Sequence, residues 1–333
     1  MAKYVISGYL GFDNFGDEAI AKVLTSFLKE KGAERITVLS ANPNKTRDLY
    51  GVDSEYFLDF IKPILNSDVL ISGGGSLLQD ITSLKSLVYY LAVIVIALVF
   101  NKKVIIFAQG FSHFRTKLGK FLTKFVLKYC DKIYVRDSKS QEILKDMDLD
   151  SEIISDPVFA LNINKNAEKT GVGIQLRGFH TVTDNFLENL AEEIRLRFGN
   201  EKIKLLSLQD SIDMPVIEKF EKILKMKGIS TQILKNLTID EAINEITKLE
   251  YLIGMRFHAN LVAAKANVKV LGINYDLKVA NLANYIHFPI IGLEQKEFGE
   301  EFNELMELNV NKYIIPEFNF PEKIWIIFFN IVE

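Results

Sequence analysis

The sequence has a single cysteine, Cys130, among its 333 residues. One thiol can form neither an intrachain disulfide nor a thiolate metal cluster, so a reducing compartment is favoured and a cytoplasmic protein is predicted. Histidine is also scarce, at four residues, and the motifs HExxH, GxxxxGK[ST] and GxSxG are missing. Metallopeptidase, P-loop nucleotidase and α/β-hydrolase chemistry therefore lack support, and no metal site is expected.

A large excess of charge of one sign is missing as well. The 40 Lys and Arg residues nearly balance the 43 Asp and Glu residues, which leaves a net charge of −3. This excludes a strongly basic nucleic-acid-binding protein, although a local group of cations can still bind a small anion. No nucleic-acid partner is expected.

No hydrophobic run is long enough to cross a membrane. The apolar run from Leu87 to Phe100 has about 14 residues, whereas a spanning helix needs roughly 20. It predicts a buried core helix, with contact at the membrane surface as the alternative. The N-terminal run from Lys3 to Ser7 is interpreted as a first strand and not as a secretory signal.

Short β-branched runs alternate with longer amphipathic stretches along the whole chain, which is typical of α/β proteins with mostly parallel sheets. The predicted strands are 3–7, 35–39, 68–72, 103–108 and 132–135, then 172–176, 202–207, 230–234, 251–253 and 268–273. The predicted helices include 19–30 and 118–129, and Thr238 and Glu241 form a capping-box pattern.

A polar stretch at 161–170 interrupts the apolar periodicity and indicates a domain boundary. The sequence therefore predicts two Rossmann-like domains, 1–165 and 166–319, with a cleft between them. The apolar segment 320–333 is expected to form a helix that packs back across the domains.

Two glycine-rich loops follow predicted strands in the N-terminal half. The first leads through Asn14 to Asp17 and Glu18 at a helix start, where carboxylates repel phosphate but suit sugar hydroxyl groups. The second contains Gly73, Gly74 and Gly75, and such a run favours the close approach of a ligand or a neighbouring loop. It continues to Gln79 and Asp80, which could bind hydroxyl groups or lie on an exposed helical face. Asp17 as a helix cap is the structural alternative for the first loop.

Cationic side chains also follow predicted strands, at Arg136, Arg177 and Arg256. Arginine binds carboxylate or phosphate through two parallel hydrogen bonds, so three of them favour a small ligand with several negative charges. His258 lies two residues after Arg256 at a predicted helix entrance, and Lys278 follows the next strand. The group predicts an anion site with a histidine that transfers a proton.

These motifs, taken in order, resemble the polysaccharide pyruvyl transferases, and most closely the bacterial branch that pyruvylates secondary cell-wall polymers. The likeness spans nearly the whole length. It rests on Asn14 to Ile20, Ser72 to Asp80, Val135 to Asp137, Asp156-Pro157, Met255 to His258 and Tyr275 to Lys278.

The resemblance implies a GT-B-like fold and a transferase that moves the pyruvyl group of phosphoenolpyruvate to a glycan, forming a cyclic ketal and releasing phosphate. It implies Arg136, Arg177, Arg256 and Lys278 as phosphoenolpyruvate-binding residues and His258 as the catalytic residue. Asn14, Asp17, Gly73, Gly74, Gly75, Gln79 and Asp80 would bind the acceptor. Phosphoenolpyruvate is the donor substrate, and no cofactor is implied.

The same resemblance implies a role in anchoring a surface layer to the cell wall. Whether the acceptor is lipid-linked, whether the protein contacts the inner face of the membrane, and its oligomeric state stay open. Two other functions stay open from the residues: a GT-B glycosyltransferase using a nucleotide sugar, and a noncatalytic glycan-binding protein.

Overall fold

The computed structural model describes residues 2–80, 83–318 and 320. By contact, the chain forms two compact units. The N-terminal unit comprises the described residues up to Ala160 together with those from Glu317 on, and the C-terminal unit comprises Leu161–Pro316. The predicted helix 320–333 lies outside the described residues except for Phe320.

The N-terminal unit is a parallel sheet in the order β3-β2-β1-β4-β5-β6-β7 with helices between the strands. Its strands are β1 Lys3–Ser7, β2 Arg35–Ser40, β3 Asp53–Tyr56, β4 Val69–Gly73, β5 Lys103–Gln109, β6 Lys132–Val135 and β7 Glu152–Ile153. Its helices are α1 Phe15–Glu30, α2 Pro43–Tyr50, α3 Ile61–Leu65, α4 Leu84–Val99, α5 Lys117–Leu127 and α6 Ser138–Lys145.

The C-terminal unit repeats this plan in the order β10-β9-β8-β11-β12-β13, also parallel. Its strands are β8 Val172–Gln175, β9 Ile203–Leu206, β10 Thr231–Leu234, β11 Tyr251–Gly254, β12 Lys269–Asn274 and β13 Ile290–Gly292. Its helices are α7 Asp184–Phe198, α8 Asp210–Met226, α9 Ile239–Thr247, α10 Phe257–Lys265, α11 Leu277–Ile286 and α12 Gly299–Glu307.

All ten predicted strands are present, whereas β3, β7 and β13 were not predicted. Each of these three lies at the edge of its sheet. An edge strand buries little, and β3 has one buried residue in four, so its sequence carries no apolar run that could reveal it.

Helix α1 begins four residues before its predicted start. Asn14 is the N-cap and accepts a hydrogen bond from the Gly16 amide at 3.3 Å, so Asp17 is not the cap. The first turn is polar in sequence, yet Glu18 is buried because the Gly11 amide and the Tyr50 hydroxyl donate to its carboxylate. The capping box at Thr238 and Glu241 is confirmed.

Helix α4 contains the long apolar run. Leu87, Leu91 and Ile94 are buried in the core, whereas Val88 and Val99 are exposed. The prediction of a core helix is therefore correct for only one side of α4. Among the described residues, no helix is both long and apolar enough to span a bilayer.

In both sheets the strand order reverses next to the first strand of the unit. The reversal lies between β1 and β4 in the N-terminal unit and between β8 and β11 in the C-terminal unit. Ligands of open α/β sheets bind outside the carboxyl ends of the strands at such a switch point. A ligand site is therefore expected at the loops that follow these four strands.

Candidate functional site

Arg177 and Arg256 follow the two strands at the switch point of the C-terminal unit. Gln175 at the end of β8 pairs with Gly254 at the end of β11, so each arginine lies two residues beyond a paired position. The Gln175 side chain accepts a hydrogen bond from the Arg256 amide at 2.7 Å. The register therefore places both arginines at the same edge of the sheet.

The guanidinium group of Arg256 is held by a buried carboxylate. Its Nη2 lies 2.6 Å from Oδ1 of Asp213, and its Nε lies 2.9 Å from Oδ2. Asp213, on α8, is fully buried, and Nη2 also donates to Oε1 of Gln209 at 3.1 Å. Two of the three guanidinium nitrogens are thus engaged within the protein, and the charge of Arg256 is balanced before any ligand binds.

Arg177 and Lys278 meet at one aromatic ring, that of Tyr275. The Arg177 guanidinium carbon lies 5.8 Å from the ring centroid, and the Lys278 Nζ lies 6.0 Å from it. Arg177 Nη1 is 3.5 Å from the Tyr275 hydroxyl oxygen, and the ring of Phe179 packs edge-on at 5.3 Å. Cations are attracted to the face of an aromatic ring, which fixes their position without neutralising them.

Three buried polar atoms around this edge have no hydrogen-bond partner among the described residues. They are Arg177 Nε, Asn260 Oδ1 and Asn274 Oδ1. Asn274 ends β12, and Asn260 lies in the first turns of α10. Buried polar groups are nearly always hydrogen-bonded, so unpaired ones at a strand edge indicate a place where a ligand or water binds.

His258 is the second residue of α10, and Arg256 is its N-cap. The imidazole is partly buried, and the Phe257 ring lies against it edge-on at 4.9 Å between centroids. Lys278 occupies the equivalent second position of α11, the helix packed beside α10. The amide-rich start of a helix favours negative charge, so both residues flank positions suited to an anion.

Lys278 is also close to a carboxylate, because its Nζ lies 3.6 Å from Oδ2 of Asp276. Asp276 is the N-cap of α11 and accepts a hydrogen bond from the Lys278 amide at 3.0 Å. The lysine side chain is about a third exposed. Water screens such a partly exposed pair, so Lys278 keeps most of its capacity to bind an anion.

Sequence analysis missed Gln175, Asp213 and Tyr275 as site residues. Gln175 is the polar residue in the otherwise apolar strand VGIQ, a pattern that could have identified it. Asp213 lies in a helix 43 residues before Arg256, and nothing in its local sequence distinguishes it from an exposed helical acid.

In the N-terminal unit, the glycine loop packs on the start of α1. Gly74 and Gly75 have φ values of +76° and +72°, a region that residues with a Cβ rarely adopt. A Cβ on Gly75 would lie 2.7 Å from Oδ1 of Asp17. The close approach of a neighbouring loop, one of the two predicted reasons for these glycines, is therefore present, and it places Asp17 beside the loop.

Asp17 is also tied to Asn14, whose Nδ2 donates to its Oδ2 at 2.6 Å. Because β1 pairs with β4 up to Ser7 and Ser72, Asn14, Asp17 and the glycines from Gly73 on follow adjacent strands. These predicted acceptor residues therefore lie together at the switch point of the N-terminal unit.

Asp80 and Gln79 hold the loop before α5. The Asp80 carboxylate is buried and accepts hydrogen bonds from the amides of Arg115 at 2.6 Å and Thr116 at 2.8 Å and from the Thr116 hydroxyl. Burial raises the pKa of Asp80, but these hydrogen bonds outweigh it and lower the pKa below its usual value. Gln79 accepts a hydrogen bond from the Ser112 hydroxyl.

Arg136 lies at the carboxyl edge of the N-terminal sheet. Its side chain is 7% exposed, and carboxylate oxygens of Asp137 and Asp156 lie 3.6 and 3.8 Å from its guanidinium nitrogens. Its Nη2 donates to the Ser76 hydroxyl at 3.2 Å. The structure thus places Arg136 beside the glycine loop, in a different unit from Arg177, Arg256, His258 and Lys278.

The fold is shared with solved structures of a UDP-GlcNAc 2-epimerase and of two proteins in complex with UDP. The UDP-GlcNAc 2-epimerase of Methanocaldococcus jannaschii aligns with a TM-score of 0.67 at 11% identity over 99% of each chain. S. aureus MnaA with UDP aligns with a TM-score of 0.67 at 10% identity over 94% of this chain and 90% of that one. Anabaena HepE with UDP and glucose aligns with a TM-score of 0.62 at 9% identity over 94% and 92%. The predicted fold class, two parallel-sheet α/β domains of GT-B-like type, is confirmed.

No curated protein sequence matches the chain. The sequence profile described as polysaccharide pyruvyl transferase matches residues 14–276, a span that includes both glycine loops, Arg136, Arg177, Arg256 and His258. The chain therefore belongs to the polysaccharide pyruvyl transferase family and is an enzyme of the transferase class.

Proposed function

We propose that the protein transfers the pyruvyl group of phosphoenolpyruvate to two hydroxyl groups of one sugar, which yields a cyclic ketal and phosphate. The observation that carries this proposal is the pair of cations that contact the Tyr275 ring, Arg177, whose buried Nε has no described partner, and Lys278. Phosphoenolpyruvate carries a carboxylate and a phosphate on the same carbon, and two cations held at one ring complement such a compact anion.

In this proposal Arg177 and Lys278 bind the donor directly. Arg177 presents a planar group that can bind two oxygens at once, and Lys278 provides a compact charge at the start of α11. The Phe179 ring packs against Tyr275 with 5.3 Å between the ring centroids, so the cations rest on an apolar support. A less polar surrounding strengthens their interaction with the phosphate.

Arg256 acts chiefly as a positioning residue. With Nε and Nη2 engaged by Asp213, only Nη1 is without a hydrogen bond to a described residue. Through these two hydrogen bonds, Arg256 connects Asp213 on α8 to the start of α10, where His258 lies. Arg136 joins the donor set by its match to the family motif.

His258 is the proposed acid. Its imidazolium proton is transferred to the methylene carbon of phosphoenolpyruvate, while a sugar hydroxyl forms a bond to the central carbon and loses its proton to a base. A second hydroxyl then bonds to the same carbon as the C–O bond to phosphate breaks; the phosphate departs with the electron pair and takes up the proton of this second hydroxyl. A positioned acid contributes about 10²- to 10⁴-fold to the rate of such a step.

The glycan is proposed to bind at the N-terminal unit through Asn14, Asp17, Gly73, Gly74, Gly75, Gln79 and Asp80. Of the two carboxylates, Asp17 suits the base better. The lowered pKa of Asp80 and its three hydrogen bonds make it a weak proton acceptor.

Phosphoenolpyruvate binding measured by calorimetry tests the donor site. Replacing Arg177 or Lys278 by methionine should raise the Kd about 10- to 100-fold, the loss expected for a charge-assisted hydrogen bond. Lys222→Met, at an exposed position on α8, is the matched control and should leave the Kd unchanged. Equal affinity in all three variants would place the donor elsewhere.

Phosphate release in the presence of an acceptor tests the chemistry. His258→Ala should keep phosphoenolpyruvate binding within about threefold and lose acceptor-dependent phosphate release by about 10²-fold or more. Wild-type turnover in this variant would refute the role of His258. Thermal stabilisation of the wild type by UDP or GDP sugars, and not by phosphoenolpyruvate, would favour the nucleotide-sugar glycosyltransferase instead.

The acceptor proposed from the motif resemblance is a secondary cell-wall polymer, with surface-layer anchoring as its biological role. A panel of amino-sugar glycans, in free and lipid-linked form, identifies it through a mass gain corresponding to one pyruvate minus water. Turnover of lipid-linked glycans alone would place the reaction at the inner face of the membrane.

A further inference from the structure

Helix α5 carries two parallel stripes on its outer surface. One stripe is apolar and consists of Leu118, Phe121, Phe125 and Tyr129, the last in the turn after the helix, and the other consists of Lys117, Lys120, Lys124 and Lys128. Members of each stripe are spaced three or four residues apart, so they align along one side of a helix. The side of α5 that packs inward is different and includes the buried Thr123, Val126 and Leu127.

The apolar stripe is open to solvent. Phe121 is 64% exposed and Phe125 57%, with Leu118 and Tyr129 at 54% and 58%. The rings contact one another along the helix: Phe121 and Phe125 stack with 6.4 Å between centroids, and Phe125 and Tyr129 meet edge to face at 5.7 Å. An exposed row of large apolar side chains on a soluble domain indicates an interaction surface.

Helix α4, which packs beside α5, extends this apolar surface. Val88, Val95 and Val99 are 47%, 38% and 66% exposed. In α4 the only charged residue is Lys85. The surface therefore spans two neighbouring helices of the N-terminal unit and includes Tyr129, a residue type enriched at the membrane–water boundary.

The lysine stripe is nearly free of compensating acid. Lys124 forms an exposed ion pair with Asp148 at 2.7 Å, which contributes little in water. Lys117, Lys120 and Lys128 pair with no described residue. A stripe of four lysines on a chain with a net charge of −3 is a local concentration of positive charge.

A small cavity of about 220 Å³ lies at the N-terminal end of the same helix. Its lining includes four basic side chains, His113, Arg115, Lys117 and Lys120, and one acidic one, Asp146. Two of these lysines belong to the stripe, so the basic surface continues from the helix into a concave site. The dimensions and charge suit an anionic headgroup.

We infer that α5 and the exposed side of α4 dock on an anionic phospholipid membrane. The apolar stripe would enter the boundary between headgroups and acyl chains, and the adjacent lysines would contact lipid phosphates, as in helices that lie in the plane of a membrane. A second copy of the chain fits this surface less well, because a twofold interface would place the basic stripe against itself. The inference holds whichever reaction the enzyme catalyses.

Sedimentation with lipid vesicles tests the docking and needs neither donor nor glycan. The full-length protein should bind vesicles containing phosphatidylglycerol, bind phosphatidylcholine vesicles at least tenfold more weakly, and dissociate at high salt. Lys120→Gln combined with Lys128→Gln should lower the partition coefficient roughly 30-fold, at about fivefold per lysine. Phe121→Ser combined with Phe125→Ser should lower it at least tenfold.

Matched controls come from exposed positions in the C-terminal unit. Lys222→Gln with Lys235→Gln removes the same charge, and Leu196→Ser with Met226→Ser removes exposed apolar side chains. Equal loss in the control and α5 variants would overturn the inference, as would equal binding to both vesicle types. A concentration-dependent dimer that Phe121→Ser and Phe125→Ser abolish, with no vesicle binding, would assign the surface to a second copy.

Discussion

The buried ion pair between Arg256 and Asp213 leads to a prediction about stability. Arg256→Ala removes two hydrogen bonds of 2.6 and 2.9 Å to a carboxylate that is fully buried. Breaking a buried ion pair from one side costs about 3 to 5 kcal/mol, because the other charge stays buried without its counter-ion. In the variant, Asp213 still accepts hydrogen bonds from the amides of Leu208 and Gln209 at 3.0 and 3.1 Å. We therefore expect a loss of stability at the lower end of this range, about 3 kcal/mol.

Urea unfolding and thermal melting measure this loss. A change of about 3 kcal/mol should lower the Tm by roughly 6 to 12 °C for a unit of this size. Arg195→Ala is the matched control, because Arg195 makes a 2.6 Å ion pair with Glu192 while both side chains are about 45% exposed. Water and salt screen such an exposed pair, which therefore contributes little to stability, so the control should lose much less stability.

The double variant Arg256→Met with Asp213→Asn separates the two roles of the arginine. It removes both charges but keeps an oxygen for the amides of Leu208 and Gln209, so it should recover most of the lost stability. Arg256→Ala could instead lower the stability no more than Arg195→Ala does, while the Kd for phosphoenolpyruvate rises. That result would refute the positioning role of Arg256 and would show that it binds the donor directly.

Other positions in the N-terminal unit give three further predictions. Burial raises the pKa of the Glu18 carboxyl group, so its ionisation opposes folding at pH values above its unfolded pKa. The stability of Glu18→Gln relative to wild type should therefore increase as the pH rises above 4.5, and a difference that does not change with pH would contradict this. The pKa of Asp80 is lowered, so its ionised carboxylate stabilises the fold. Asp80→Asn should therefore lower the free energy of unfolding by about 1 to 3 kcal/mol at pH 7, as measured by urea unfolding. This difference from wild type should shrink as the pH falls below 3.8. Gly75→Ala should destabilise the protein more than Gly32→Ala does. Both glycines have a positive φ, but only a Cβ at residue 75 would meet Asp17. Equal melting temperatures of the two variants would refute the contact.

Most of the fold could be predicted because a strand buried on both faces needs a continuous apolar run. That requirement identified all nine interior strands and also the edge strand β10, whereas the other three edge strands, β3, β7 and β13, were missed. The start of α1 was missed for a related reason. Its first turn is polar in sequence, and the burial of Glu18 depends on Tyr50, 32 residues away.

The candidate site could be predicted only in part. Glycine runs and cations directly after apolar strands point to the carboxyl edge of a parallel sheet, and Arg177, Arg256, His258 and Lys278 do lie at that edge of the C-terminal unit. The partners of these residues could not be found in the same way. Asp213 and Tyr275 act through contacts across the unit, and a local pattern carries no information about such contacts.

The sequence by itself determined which chemical groups lie at the ends of the strands, because the apolar runs of strands and the glycines that follow them are local properties of the chain. Only the tertiary structure decided which of these groups are neutralised. Arg256 is balanced by a buried carboxylate, whereas Arg177 and Lys278 rest on an aromatic ring, and that difference depends on packing between distant segments.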